Sequence, residues 1–196
     1  MQSLRVKLAL GVAIFSAGAI ATVAVAHDGG SKIRANLTGY EEVPAQSSAA
    51  DARLKAFISR HADEITYTLS YSGPFNTGGT PPAPGVVTQA HIHFGQFGVN
   101  GGISAFLCGT ASNPGPAGTP VCPQPPADGS RVSVTGTIDP ADVIGPASQG
   151  IAPGEFDELV AAIRAGIAYA NIHTNVNPAG EIRGQISGDK GRHGRW

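Results

Sequence analysis

The run EITYTLSY, residues 64–71, alternates without a break: Ile65, Tyr67, Leu69 and Tyr71 share one parity, and Thr66, Thr68 and Ser70 share the other. Side chains of an extended chain point alternately to opposite faces, so the pattern predicts a strand with one face in an apolar core and the other in water. Weaker versions of the same period occupy residues 33–37, 53–58, 86–94, 103–108, 131–138, 168–174 and 181–186. Twenty-seven glycines and 15 prolines cut the 196-residue chain into such short pieces. That composition favours many strands joined by turns over long helices. About eight short strands predict an all-β fold, an antiparallel β-sandwich or barrel.

One segment breaks the period. In EFDELVAAIRAG, residues 155–166, Phe156, Leu159, Val160 and Ile163 recur at helical spacing, with acidic residues in the first turn, Arg164 in the last and Gly166 beyond it. These features predict one short amphipathic helix capped by Gly166 and covering an end of the β-fold. Two Pro/Gly-rich stretches, residues 73–85 and 109–129, separate strands and are long for hairpin loops. The glycine-broken basic end, residues 189–196, reads as a frayed terminus after a single domain spanning 31–188. No internal repeat is present.

The beginning of the chain bears on its destination. Arg5 and Lys7 precede the apolar run LALGVAIFSAGAIATVAV, which closes on Ala24-Val25-Ala26 before the polar His27-Asp28. This is the layout of a cleaved export signal over residues 1–26, in preference to a retained anchor, and it predicts a periplasmic or extracellular protein with no membrane span after cleavage. A net charge of −1 with 14% charged residues leaves no basic stripe along the sequence, so nucleic acid is not an expected partner. Cys108 and Cys122 are the only cysteines and flank the loop GTASNPGPAGTPV. In an oxidising compartment such a pair forms a disulfide, in preference to a two-thiolate metal site, whose cysteines are more closely spaced.

The chemistry concentrates in QAHIHFG, residues 89–95. Val86, Ala90, Ile92 and Phe94 have one parity, and Gln89, His91 and His93 the other. The segment YANIHT, residues 169–174, repeats the logic, with Ala168, Ala170 and Ile172 on one side and Tyr169, Asn171 and His173 on the other. If the two strands are neighbours, three imidazoles converge on a polar face and form a site for copper or zinc with room for a further ligand; otherwise they are solvated side chains. His27, exposed as a new N-terminus by cleavage, offers an amine and an imidazole to copper, while His61 reads as an exposed turn residue beside Arg60 and Asp63.

Several segments together resemble the CHRD domain, the module named for its repeats in chordin and also found singly in exported bacterial proteins. They are GYEEVP (39–44), YTLSYSG (67–73), AHIHFG (90–95), NGG (100–102), the helix end RAG (164–166) and YANIHTNVNPAGEIRGQI (169–186). The resemblance spans roughly residues 33–187 and departs from the family at the proline-rich insert 74–85 and at the cysteine-flanked loop. It implies an extracytoplasmic β-sandwich, of immunoglobulin-like or superoxide-dismutase-like kind, and supplies no reaction. Within these segments, Asn177-Pro178-Ala179-Gly180 is turn chemistry that should pair the flanking strands as a hairpin. Arg183 is expected to form a structural ion pair with Glu181 or Glu42, and Glu42 is a secondary candidate as an oxygen ligand.

Three functions compete on these residues. The leading one is an exported protein holding a transition metal through His91, His93 and His173, copper ahead of zinc because the site is rich in imidazole and free of thiolate. Storage, delivery or sensing would be its role. The second is a metal-free module that binds another extracytoplasmic protein through its long loops. The third is a copper-dependent redox enzyme of superoxide-dismutase type, for which the chain lacks the further histidines of a bridged two-metal site. No nucleophile elbow, zincin motif or phosphate loop is present, so hydrolase chemistry is not expected.

Overall fold

The computed structural model describes residues 30–79 and 83–188; the expected export signal over residues 1–26, His27 and the basic end therefore lie outside the described residues. The elements run in the order β1 (Ser31–Thr38), a 3-10 turn (Gly39–Glu41), β2 (Asp51–Ile58), β3 (Ile65–Ser72), β4 (Thr77–Gly78), β5 (Ala83–Pro84), β6 (Val87–Phe94), β7 (Gly102–Cys108) and β8 (Val132–Ile138). Short 3-10 turns then lead to α1 (Phe156–Ala165), β9 (Ala168–Thr174), β10 (Ile182–Gln185) and β11 (Ser187–Gly188). Each of the eight segments with a period of two became a strand, with ends shifted by no more than a few residues.

The strands hydrogen-bond into one nine-stranded antiparallel sheet in the order β7-β6-β9-β10-β1-β2-β3-β8, with β11 added beside β1, and β4 and β5 form a separate ribbon. The expected all-β fold is thus built as a single sheet that curls over until its end strands, β7 and β8, approach each other. The core lies inside the curl. It takes Ile65, Tyr67, Leu69 and Tyr71 from β3, Ala52, Leu54 and Ile58 from β2, and Ala90 and Ile92 from β6, all buried. Cys108 and Cys122 form the expected disulfide, which ties the end of β7 to the long loop that follows it.

Helix α1 buries Phe156, Leu159, Val160 and Ile163 and packs on β9. It ends where the sequence indicates, at Gly166, whose φ of 73° places it in the left-handed region and lets its N–H reach the carbonyls of Ala162 and Ile163.

Closure of the curl depends on one bare position. Tyr67 pairs with Gly136 of β8, and a Cβ on Gly136 would lie 2.3 Å from the Tyr67 hydroxyl oxygen. With no side chain in the way, the Tyr67 ring passes over β8 and its hydroxyl donates to Leu107 O of β7 at 2.7 Å, inside the core. This hydrogen bond links the two ends of the sheet. Tyr67→Phe should lower stability by about 1 kcal/mol through loss of one buried hydrogen bond. Gly136→Val should lower it by about 1–3 kcal/mol through overpacking. Chemical denaturation of both variants checks this, and a Gly136→Val protein as stable as the parent would contradict the closure.

Candidate metal centre

Strands β6 and β9 are neighbours, and their register sets His93 opposite Tyr169, His91 opposite Asn171 and Gln89 opposite His173. The hairpin through residues 175–180 then pairs β9 with β10 and sets Arg183 opposite Asn171. All of these side chains have the parity that points away from the core. They do not face water, however. His91 is 0%, His93 7% and His173 5% exposed, and Tyr169, Asn171 and Arg183 are buried with them. Reading them as solvated side chains is thereby excluded.

Loops supply the cover. The carboxylate of Glu181 is buried and takes four donors. Its Oε1 accepts from Ser48 Oγ and from the backbone N–H of Asn76. Its Oε2 accepts from Thr174 Oγ1 at 2.7 Å and Asn177 Nδ2 at 3.0 Å. One side chain thus pins the segment after the 3-10 turn, the loop after β3 and the β9–β10 turn over the outer face of the sheet. On the other flank, Asn100 donates from Nδ2 to Val43 O and accepts from Arg183 Nη1 at Oδ1.

The three histidines form a group in which one ring nitrogen from each lies within 4.8 Å of the others. Backbone carbonyls orient two of the rings. His93 Nδ1 lies 3.0 Å from Gly101 O, and His173 Nδ1 lies 3.0 Å from Pro178 O. A carbonyl only accepts, so each of these Nδ1 atoms carries the hydrogen and each Nε2 keeps its lone pair. His91 Nδ1 is 3.2 Å from His173 Nε2 and must be the donor in that contact. It follows that His91 Nε2 also carries a lone pair, and neither His91 Nε2 nor His93 Nε2 has a hydrogen-bond partner.

Aromatic and cationic groups pack the cluster from behind. The Tyr169 ring stacks on His93 with centroids 4.8 Å apart and planes 6° from parallel, and the Arg183 guanidinium lies 3.4 Å from the Tyr169 centroid on its other side. Phe106 meets His91 edge-on at 4.3 Å. Gly101 approaches closely because a Cβ there would overlap Phe94 O. Its carbonyl receives His93, and its N–H donates to the Tyr169 hydroxyl at 3.1 Å.

Arg183 departs from expectation. Instead of pairing with Glu42 or Glu181, it donates to Asn100 Oδ1, Gln96 O and Val99 O, at 3.2, 3.2 and 2.9 Å. Its fork is filled by the carbonyls of the 95–101 loop, which curls around the end of β6, while Glu181 is already saturated by neutral donors. Glu42 is buried, receives one long hydrogen bond from Asn171 Nδ2 at Oε2, and has no partner at Oε1. It stands outside the three-histidine group. Sequence reading did not single out Tyr169, Asn171, Asn100, Gly101 or Pro178 for the site; for the first two, the signal was parity shared with His173.

Burial also sets the protonation states. It lowers His93 to about 4, against the pull of the Gly101 carbonyl, and drives His91 far below the ordinary imidazole range with help from His173 and His93 beside it. His173 is lowered by burial against its bond to Pro178. Burial raises Glu42 to about 7, opposed by Arg183 and Asn171. At neutral pH the site therefore presents three neutral imidazoles, the form that binds metals.

The fold and site together define an all-β, barrel-like protein with three buried histidines on the outer side of its sheet. A family model for the CHRD domain matches residues 33–186, and the chain belongs to that family. No curated protein and no solved structure matches it.

These ionisations predict how the metal-free protein responds to acid. Histidines unfold into water with values near 6.5, so below that pH the unfolded chain takes up protons that the folded site refuses, and stability falls. Glu42 acts oppositely, because its proton is held by the fold between 4.5 and about 7. With three groups against one, the melting temperature should fall from pH 7 to pH 5, by about 1.4 kcal/mol of stability per pH unit for each net proton. Glu42→Gln should steepen the fall. A midpoint that is flat or rises on acidification would contradict these assignments.

Proposed function

We propose that this is an exported CHRD-domain protein that binds a transition metal through His91, His93 and His173, with copper favoured over zinc. The observation that carries this reading is the set of three neutral imidazoles within 4.8 Å of one another, two of them with a buried Nε2 lone pair that nothing in the protein satisfies. Backbone carbonyls behind His93 and His173 act as the outer partners that orient metal-binding histidines and raise their basicity. Both cysteines are held in a disulfide and offer no thiolate, so the donor set is nitrogen only, which suits copper or zinc. Coordination through His173 Nε2 replaces the hydrogen bond it accepts from His91.

Export is supported by the disulfide and by the family, and no helix among the described residues is long and apolar enough to cross a membrane. Holding a metal for storage, delivery or sensing fits the enclosed site better than redox turnover. Among the described residues, one group of three or more metal-capable side chains occurs, without the second set a bridged two-metal centre requires.

Copper and zinc titrations of the purified chain should each show one equivalent bound at micromolar concentration or better, copper more tightly. The His91→Ala/His93→Ala/His173→Ala protein, folded by circular dichroism, should bind neither at that site. Saturating metal should raise the melting temperature, since a hundredfold excess over Kd contributes about 2.7 kcal/mol. Failure of both metals to bind the parent protein would rule out this function.

A further inference from the structure

The outer side of the sheet is sealed over β6, β9 and β10 but open over β1, β2, β3 and β8, and the open part is strongly charged. Lys32 and Arg34 of β1, Arg53 and Lys55 of β2, and Arg131 just before β8 all point outward and are exposed. The described residues hold only three other lysines and arginines, namely Arg60, Arg164 and Arg183. A chain with a net charge of −1 has thus placed most of its described cations on one sheet face. Asp51, held by Arg131, is the sole acidic side chain on the outward parity of these four strands.

The register sets the cations side by side. Arg34 lies directly opposite Lys55, and Arg53 lies opposite Asn36, whose Oδ1 accepts from Arg53 Nε at 3.2 Å. The next strands continue the surface with hydroxyls: Thr68 faces Lys55, and Ser70 faces Arg53. Together they line a shallow groove of about 610 Å³ whose walls include Arg53, Lys55, Thr68, Ser70 and the Asp51–Arg131 ion pair.

We propose that this face is a second binding site, for an acidic polysaccharide. Carboxylate or sulfate groups would pair with Arg53 and Lys55, and sugar hydroxyls would bond the Ser and Thr row. Successive outward positions along a strand are roughly 7 Å apart, so a linear polyanion lying on the sheet meets several cations at once. The one aromatic ring on the outward parity of these strands is Phe57, opposite Lys32 and half-buried, and no large apolar side chain of the face is exposed enough to enter a bilayer. A half-buried ring gives a nucleobase little to stack on, and the hydroxyl row beside the cations favours a glycan over nucleic acid or lipid. The site shares no residue with the histidine cluster and stands independently of the metal reading.

Binding of the purified chain to immobilised dextran sulfate and to polygalacturonate, at low and at physiological ionic strength, tests this. At least one should bind with an affinity that falls as salt rises, and the two arms tell sulfate from carboxylate recognition. Arg53→Gln/Lys55→Gln should weaken binding about tenfold or more, as expected for two lost charge-assisted contacts, whereas Arg164→Gln on α1 should leave it unchanged. A chelator should have no effect. Three results would overturn the proposal: no binding to either polymer at low salt, equal binding by the Arg53→Gln/Lys55→Gln protein, or tighter binding to duplex DNA or phosphatidylglycerol vesicles than to both polymers.

Discussion

A carboxylate buried from water is tolerated only where donors meet its oxygens, and Glu181 imposes that condition on the rest of the molecule. Its four donors come from Ser48, Asn76, Thr174 and Asn177, positions far apart in sequence that must meet at one point. Once they do, the segment carrying Glu42 lies across the sheet and the β9–β10 turn presents Pro178 O to His173. Removing the carboxylate would leave several buried donors without partners, so the cover and the histidine geometry stand or fall together. A neutral-donor cage has a further consequence, since it frees Arg183 to stack on Tyr169 and to collect the carbonyls of the 95–101 loop.

One sheet thus has two outer surfaces of different character. Over β2 and β3 the connection is a short turn, residues 59–64, in which Ser59 and Asp63 bond each other, and the face stays open. Over β6, β9 and β10 the connections 95–101 and 175–181 fold back over the face, joined by the 39–50 segment that links β1 to β2. The inner faces of both regions are equally apolar. What distinguishes them is where the loops fold and the few side chains that hold the loops down.

The β-fold was legible because its core face follows a period of two: Ile65, Tyr67, Leu69 and Tyr71 are all buried, as their alternation required. Helix α1 was legible from its apolar spacing and from Gly166. Within the site, parity alone put His91, His93 and His173 on the outward side, and neighbouring strands brought them together. Parity carries no information about whether an outward face is wet. Loops 39–50 and 95–101 decide that, and their cover depends on contacts such as Asn100 with Val43 that no local pattern announces. Arg183 was misassigned for the same reason, because attraction between opposite charges was weighed without knowledge of the carbonyls that would surround it. In retrospect the segments GYEEVP, AHIHFG, NGG and YANIHTNVNPAGEIRGQI share one destination: Glu42, the two β6 histidines, Asn100, Gly101, His173, Glu181 and Arg183 all lie in or over this single face.

The cover also fixes what the histidines can accept. Because Gly101 O and Pro178 O take the Nδ1 hydrogens of His93 and His173, and His173 Nε2 takes that of His91, the Nε2 lone pairs of His91 and His93 are left with nothing to meet them. A buried acceptor left unpaired costs about 1–3 kcal/mol, so the metal-free fold carries a standing destabilisation at this point. A proton is a poor remedy, because it places a full charge on one ring in a dry site where Arg183 is already cationic. A cation shared among several nitrogens spreads that charge and satisfies several lone pairs together. The desolvation that lowers the histidines' proton affinity therefore keeps all three rings neutral, with lone pairs that could hold a metal ion.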